Sequence, residues 1–321
     1  MTPPLVRHGV AIDDTYAEAF SMKATRLLIT AHDRTWARHA AVAATGFATS
    51  VIGCGCEAGI ERELDASQTP DGRPGCSVLL FAASGKTLAQ QLERRVGQCV
   101  MTCPTTAVYA SLPEGSEVID HLALGKNLRY FGDGWQISKV IAGLRYWRIP
   151  VMDGEFVVQE MAPVTKAVGG GNLLLLARDT EAALAAADAM VQAMRQVPDV
   201  ILPFPGGVVR SGSKVGSRYA SLSASTNDAY CPGLRGLTAA SALDSAVRCV
   251  LEIVIDGLSA AAVAAAMRAG LQAGIAFGAA RGLLRLSAGH YGGRLGPHHF
   301  HLHPLLAEGA AESTHAEGGA A

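Results

Sequence analysis

Short runs of apolar residues alternate with segments of helical periodicity along most of the chain. Arg26-Leu-Leu-Ile-Thr-Ala31 reads as a strand, Arg34 to Thr45 as a helix, and Phe47 to Ile52 as a second strand. Beyond the turn-rich Thr69-Pro-Asp-Gly-Arg-Pro-Gly75 comes a strong strand, Cys76 to Ala82. An amphipathic helix follows over Thr87 to Gln98, with Leu88, Leu92 and Val96 at helical spacing. Val100 begins a further strand that Pro104 limits. The second half repeats this order: strand Asn172 to Ala177, helix Thr180 to Gln196, and strand from Asp199 to Pro203. After a long glycine- and serine-rich passage come strand 246–255, helix Ser259 to Phe277 and strand Leu283 to Ser287. Ser259 has the chemistry of an N-cap. The segment from Lys126 to Gly171, rich in glycine and aromatic residues, is expected to be more strand-like.

The run Ala246-Val-Arg-Cys-Val-Leu-Glu-Ile-Val-Ile255 is the most apolar of the strands and holds a glutamate at its centre. Alternation puts Arg248, Val250, Glu252 and Val254 on one face and Val247, Cys249, Leu251, Ile253 and Ile255 on the other. In a covered sheet the Glu252 carboxylate loses hydration and its pKa rises, the usual route to a general acid or base near neutrality. The strand alone leaves two other readings open: an edge strand whose glutamate faces water, or a glutamate paired with an arginine.

The duplicated βαβ…βαβ order predicts an α+β protein of two ferredoxin-like (split βαβ) lobes related by internal pseudo-symmetry. We expect one lobe over 1–150 with inserted strands and a second over 151–307. A disordered tail of alanine, glycine and small polar residues is expected over 308–321. At 321 residues, 49% hydrophobic and 17% charged, the chain has the composition of a globular protein with a sizeable core. A formal net charge of −1 gives no footprint for nucleic acid or an anionic membrane. The opening residues lack a basic region followed by an apolar stretch, and no apolar run approaches the roughly 20 residues of a membrane span. A cytoplasmic protein is expected. Seven cysteines, an odd number, fit structural thiols in a reducing compartment better than a disulfide framework. Cys54-Gly-Cys56 and Cys99-x-x-x-Cys103 lack the spacing of a zinc knuckle.

Glycine-rich loops supply the other candidate chemistry: Phe131-Gly-Asp-Gly134, Gly169-Gly-Gly-Asn172, Phe204-Pro-Gly-Gly207, Lys214-Val-Gly216 and Ser225-Thr-Asn-Asp-Ala-Tyr-Cys-Pro232. Glycine lets backbone N–H groups approach a ligand; for any one loop a tight turn is the favoured reading, and for all five together that reading weakens. None has the spacing of a phosphate loop or a dinucleotide fingerprint. The string His298-His-Phe-His-Leu-His303 would place His299, His301 and His303 on one strand face, which permits a metal. We favour a structural or interface role for it.

Several strings, in order along nearly the whole chain, resemble the formylmethanofuran:tetrahydromethanopterin N-formyltransferase family. They include Asp13-Asp-Thr-Tyr-Ala-Glu-Ala-Phe20, Glu57-Ala-Gly-Ile60, Thr69 to Gly75, Phe131 to Gly134, Pro203 to Gly207 and Ser213 to Ser217. Ala224 to Pro232, Glu252-Ile-Val-Ile and Ser287-Ala-Gly-His-Tyr-Gly-Gly-Arg-Leu-Gly296 complete them. The resemblance implies two ferredoxin-like lobes, a homo-oligomer, and metal-free transfer of a formyl group between two C1 carriers. Those carriers, tetrahydromethanopterin and a methanofuran-type molecule, would be co-substrates, with no tightly bound cofactor. Bacterial members resemble the subunit of a formyltransferase/hydrolase complex that passes formyl from pterin to furan on the way to formate. The alanine- and arginine-rich composition leans that way, while the histidine-rich end and the tail depart from the archaeal pattern.

Formyl transfer needs an amine to attack a carbonyl carbon, donors for the oxyanion, a group to manage the proton, and exclusion of water. No serine elbow or Cys/His signature stands out, which favours direct transfer in a ternary complex. Glu252 falls on the glutamate that the family is similar to in using as acid/base. Loops 204–207, with Phe204, Gly206 and Gly207, 213–217 and 225–230 are expected to line a cleft. Ser225 and Asn227 would serve the carbonyl there. Lys214, Arg210 and Arg218 are candidates for the carboxylates of a glutamylated furan or the phosphate of the pterin, or they simply solubilise the surface. Tyr230 and Phe204 are candidates for ring stacking, with core packing as the other reading. The alternative from another class is a non-catalytic scaffold or carrier-binding subunit of a larger C1 complex.

Overall fold

The computed structural model describes residues 5–307; the expected tail over 308–321 lies outside the described residues. The chain divides into two compact units. One comprises Ser21–Ala167 with Asp256–Ser259, and the other 5–20, 168–255 and 260–307. Where the sequence suggests one break at 150/151, the units interleave, because the opening segment pairs with the end of the chain. Val10–Ile12 lies parallel to Leu283–Ser287, and His298–His301 runs antiparallel to residues 16–19.

In the unit built on Ser21–Ala167 the strand Tyr16–Thr30 supplies its residues from Ser21 onward. The strand Cys56–Leu64 pairs with Gly75–Ala82, which pairs with residues 23–30, which pair with Ala107–Ser111. All three pairings are antiparallel. The helices Arg34–Thr45 and Gly85–Arg95 start where Asp33 and Ser84 accept the Trp36 and Thr87 backbone N–H groups. They bury Ala37, Ala41, Leu88 and Leu92 against Leu27, Ile29, Val78 and Leu80. The strand expected at Phe47–Ile52 shrinks to Thr49–Ser50 and gives way to a helical turn, Val51–Cys54. Phe47 (φ 52°) and Gly55 (φ 78°) are left-handed and cannot continue a ladder. Val100 closes a π turn, and the strand resumes only at Ala107. The segment Lys126–Gly171 is largely strand, including the meander Ile137–Ile141, Leu144–Val151 and Gly154–Gln159.

The other unit repeats the order. Val200–Ile201 pairs with Cys249–Gly257, which pairs with Met161–Ala177, which pairs antiparallel with Leu283–Ser287. In both units the strand order across the sheet is second, third, first, fourth. The helices Thr180–Met194 and Ala260–Phe277 cover one face, over Leu173, Leu175, Leu251, Ile253 and Ile255. By length and composition Ala260–Phe277 would serve as a membrane span, which the sequence reading did not foresee, yet Val263, Ala266, Met267 and Leu271 are buried in this core. Gly171 is needed at the contact, since a Cβ there would lie 2.5 Å from a Val263 methyl. The opposite face carries Leu174, Leu176 and Val250 with Leu243, Val247 and Tyr230.

The opening segment uses its two faces differently. Ala17 and Ala19 enter the apolar core, whereas Tyr16, Glu18 and Phe20 point to the loop that follows Leu283–Ser287. Glu18 is fully buried and accepts four backbone N–H groups, from Tyr291 (2.7 Å), Gly293 (2.8 Å), Leu295 (2.6 Å) and Gly296 (2.8 Å). Burial alone would raise its pKa; the four donors outweigh it and bring the carboxyl from 4.5 down to about 2. The unfolded chain therefore takes up this proton first as pH falls, so the stabilisation is complete above pH 4.5 and is lost on the way to about 2. Denaturant titrations of wild type and Glu18→Gln are expected to differ most at neutral pH and to converge through this window. A gap independent of pH would contradict the assignment.

Candidate functional site

Glu252 occupies the fourth position of Cys249–Gly257, on the face that the helices leave uncovered. Its backbone forms an antiparallel bridge with Val209, N–H to O at 2.7 and 2.9 Å, which brings residues 209–212 alongside the strand. Asn227 N–H donates to the Gly212 carbonyl at 3.0 Å and so draws the next loop in. The result is a small pocket, about 40 Å³, whose wall includes Glu252, Arg210, Asn227 and Tyr230. Leu174, Val209, Gly212, Thr226, Cys231, Val250 and Leu251 complete it. That volume suits a group of a few atoms. Among the described residues neither oxygen of the Glu252 carboxylate accepts a hydrogen bond and no cation pairs with it.

Of the residues named from the sequence, Glu252, Arg210, Asn227 and Tyr230 meet here. The Asn227 side-chain amide makes no hydrogen bond among the described residues, while its backbone is fixed by Gly212 and Tyr230. Tyr230 both lines the pocket and packs against Leu174 and Val247, so the two readings of it hold together. The others lie elsewhere. Ser225 sits on a two-stranded hairpin opposite Lys214 and its hydroxyl donates to the Gly216 carbonyl at 2.7 Å. Lys214 pairs with Asp228, and Arg218 is exposed outside the pocket wall. Phe204, Gly206 and Gly207 form a tight turn, Pro205–Gly207, in which Gly207 (φ 88°) is packed against Val191 and Leu202. That loop is a backbone device here, since its left-handed glycines close the turn.

Sequence reasoning missed Gly212, and it included Thr226 and Cys231 in a candidate loop without singling them out. Gly212 has a specific reason to be glycine: a Cβ would lie 2.9 Å from Glu252 Oε2. No periodic signal marks it. The histidine string also resolves differently from a three-ligand face. His299 and His301 lie about Tyr16, ring centroids 5.0 Å away, and His303 falls beyond the strand, against the Ile12 carbonyl at 3.0 Å. Among the described residues no group of three or more His, Cys, Asp or Glu could hold a metal ion, and all seven cysteines are free thiols.

Two family models span the chain. Formylmethanofuran-tetrahydromethanopterin formyltransferase matches residues 5–151, and its proximal lobe matches 154–305. The chain belongs to this family of formyltransferases. A relative from Methylococcus capsulatus, a formylmethanofuran–tetrahydromethanopterin formyltransferase, is 62% identical over 94% of this chain and 100% of its own length. Among solved structures, the formyltransferase/hydrolase complex from Methylorubrum extorquens with methylofuran matches with a TM-score of 0.91. It is 50% identical and covers 94% of this chain and 99% of that one. The formylmethanofuran:tetrahydromethanopterin formyltransferase from Methanosarcina barkeri matches with a TM-score of 0.88 at 42% identity, over 94% and 100%. The mixed α/β, mostly antiparallel architecture is thus that of known formyltransferases.

For a formyltransferase the notable property of the pocket is its electrostatics. Burial, unopposed by a hydrogen bond or a cation, raises the Glu252 carboxyl from 4.5 to about 7. The folded state then holds this proton more tightly than the unfolded chain. The associated stability is full below pH 4.5 and is lost as pH rises through about 7. Glu252→Gln cannot ionise, so its stability relative to wild type is expected to climb between pH 4.5 and 7 and level off above. Parallel urea melts across that range check this, and a difference that does not change with pH would contradict a raised Glu252 pKa.

Proposed function

We propose that the chain is an N-formyltransferase that moves a formyl group between tetrahydromethanopterin and a methanofuran-type carrier, with Glu252 as acid and base. The observation that carries the mechanism is an unpartnered carboxylate, titrating near neutrality, in a pocket the size of the reacting group. The amine nitrogen of one carrier attacks the formyl carbon of the other. A C–N bond forms and the carbonyl oxygen becomes an oxyanion. Glu252, ionised, takes the proton from the attacking nitrogen. It returns that proton to the departing nitrogen as the second C–N bond breaks, so the enzyme ends as it began. The Asn227 amide, with no partner among the described residues, is available to the carbonyl oxygen, and Arg210 to an anionic part of a carrier. The carrier bodies exceed the pocket and lie outside it. Ser225, Phe204, Gly206, Gly207, Lys214 and Arg218 are proposed to act on those bodies.

Further parts of the reading extend from the relatives. The M. extorquens structure is of a formyltransferase/hydrolase complex. We place this chain in an equivalent cytoplasmic assembly, as a homo-oligomer with other subunits, taking formyl from pterin to furan toward formate. Each lobe, within 1–150 and 151–307, is proposed to be ferredoxin-like. The repeated βαββαβ order and the second-third-first-fourth strand arrangement support that reading.

A transfer assay with both carriers tests the function. The rate is expected to rise with pH through about 7 as Glu252 ionises. Glu252→Gln is expected to lose roughly 10²–10⁴-fold in kcat and the pH dependence with it, while staying folded. A Glu252→Gln protein that transfers at the wild-type rate would refute Glu252 as acid and base, and a wild-type protein that transfers none would favour a scaffold instead.

A further inference from the structure

Glu18 and the loop that follows Leu283–Ser287 take no part in the chemistry described so far, yet they are tied together more tightly than a surface loop requires. Tyr16, Glu18 and Phe20 form one row along a strand. Tyr16 stacks on His290 at 4.6 Å, Glu18 receives four N–H groups from residues 291–296, and Phe20 meets the Tyr291 ring at 5.9 Å. The approach is close enough that a Cβ at Gly296 would lie 2.3 Å from the Ala19 carbonyl oxygen. A second clamp holds the loop's second residue: the Asn172 amide accepts from Gly289 N–H at 2.6 Å and donates to its carbonyl at 3.0 Å.

The clamp connects the loop to the Glu252 pocket. Asn172 lies two residues before Leu174, a pocket residue, and so shares its sheet face by strand alternation. The neighbouring strand places Val250 and Glu252 on that same face. The loop therefore leaves the sheet at the edge of the uncovered face, and Tyr291, two residues past Gly289, lies outside the wall of the small pocket but within reach of the Glu252 charge. The Tyr291 hydroxyl makes no hydrogen bond among the described residues and is free to donate one. Burial, and then the negative charges of Glu252 and Glu18, hold its proton on, above the ordinary phenol range.

We infer that Tyr291 is a second residue of the reaction centre, donating a hydrogen bond to the oxyanion of the tetrahedral intermediate, and that Glu18 is the positioning residue that presents it. This rests on the formyl-transfer reading above. The role is a donation without proton transfer: the Tyr291 O–H bond stays intact while the C–N bonds form and break and Glu252 carries the moving proton. A neutral donor is suited to an oxyanion, and two nearby carboxylates disfavour its ionisation.

The test is a double-mutant cycle in the carrier-to-carrier transfer assay, with Tyr291→Phe, Glu18→Gln and the double variant. Tyr291→Phe keeps the ring and is expected to lower kcat by about 10²–10³-fold, the cost of one oxyanion donor, with KM nearly unchanged. Glu18→Gln replaces one acceptor oxygen by an NH₂ group facing N–H donors and is expected to lower kcat in the wild-type background. It should add little when Tyr291 is already Phe, because its effect runs through that hydroxyl. Wild-type kcat in Tyr291→Phe would overturn the inference. Equal Glu18→Gln losses in both backgrounds would overturn the positioning role and leave Glu18 a structural anchor. Should Glu18→Gln fail to fold, Tyr291→Phe decides the donor role and Asn172→Ala takes the second place in the cycle. A wild-type protein that transfers no formyl group would instead refute the functional reading itself.

Discussion

A largely buried carboxylate without a partner among the described residues is the constraint around which the Glu252 region is organised. Charge in such a place is costly, and most proteins answer with an arginine or a set of N–H donors. Here the wall of the pocket offers aliphatic carbon, a glycine and side chains that leave the carboxylate unpaired. The helices take the other face of the sheet, so the strand brings apolar surroundings to Glu252 without covering it. Gly212 keeps open the space in which its oxygens sit. Each feature is ordinary; together they hold an acid whose proton is exchangeable near neutrality.

Glu18, in the same compact unit, meets the opposite fate. Its surface is fully covered, yet four backbone donors fix it in the ionised state, its pKa at about 2 against about 7 for Glu252. Glu18 has four hydrogen bonds to hold its charge, where Glu252 has burial alone. Two carboxylates separated in this way differ in kind: one is a permanent anion that orders a loop, the other is the group to which the proposed mechanism gives the moving proton. The loop ordered by the first carries Tyr291 into the field of the second.

Much of this was legible in the residues. The alternation over 246–255 identified both the face and the central glutamate, because a buried strand needs apolar residues on its core side whatever the loops do. Arg210, Asn227 and Tyr230 followed from the loops. Other features obey no period. Cys56–Leu64 carries Glu57, Glu61 and Glu63, which hid a strand in which Glu61 is paired with Arg26 and Ser77 at 2.7 and 2.6 Å. Gly212 is set by a carboxylate forty positions away. Lys214 read as a ligand-binding cation or a surface charge, and no period shows that its hairpin also pairs it with Asp228. Glu18 stood within a recognisable string, and only the fold brings residues 291–296 to it. The same long-range pairing joins 5–20 to the end of the chain, which no linear reading of boundaries anticipates.

The central claim is that Glu252 titrates near neutrality because it is buried without a partner. The most direct measurement is a carbon-13 NMR titration of the protein labelled at glutamate carboxyl carbons, with Glu252→Gln used to assign the resonance. The account predicts a Glu252 midpoint at about pH 7, shifted from 4.5, and a Glu18 resonance that does not move above pH 4. A Glu252 midpoint near 4.5 would contradict it and remove the physical basis for an acid and base at this position.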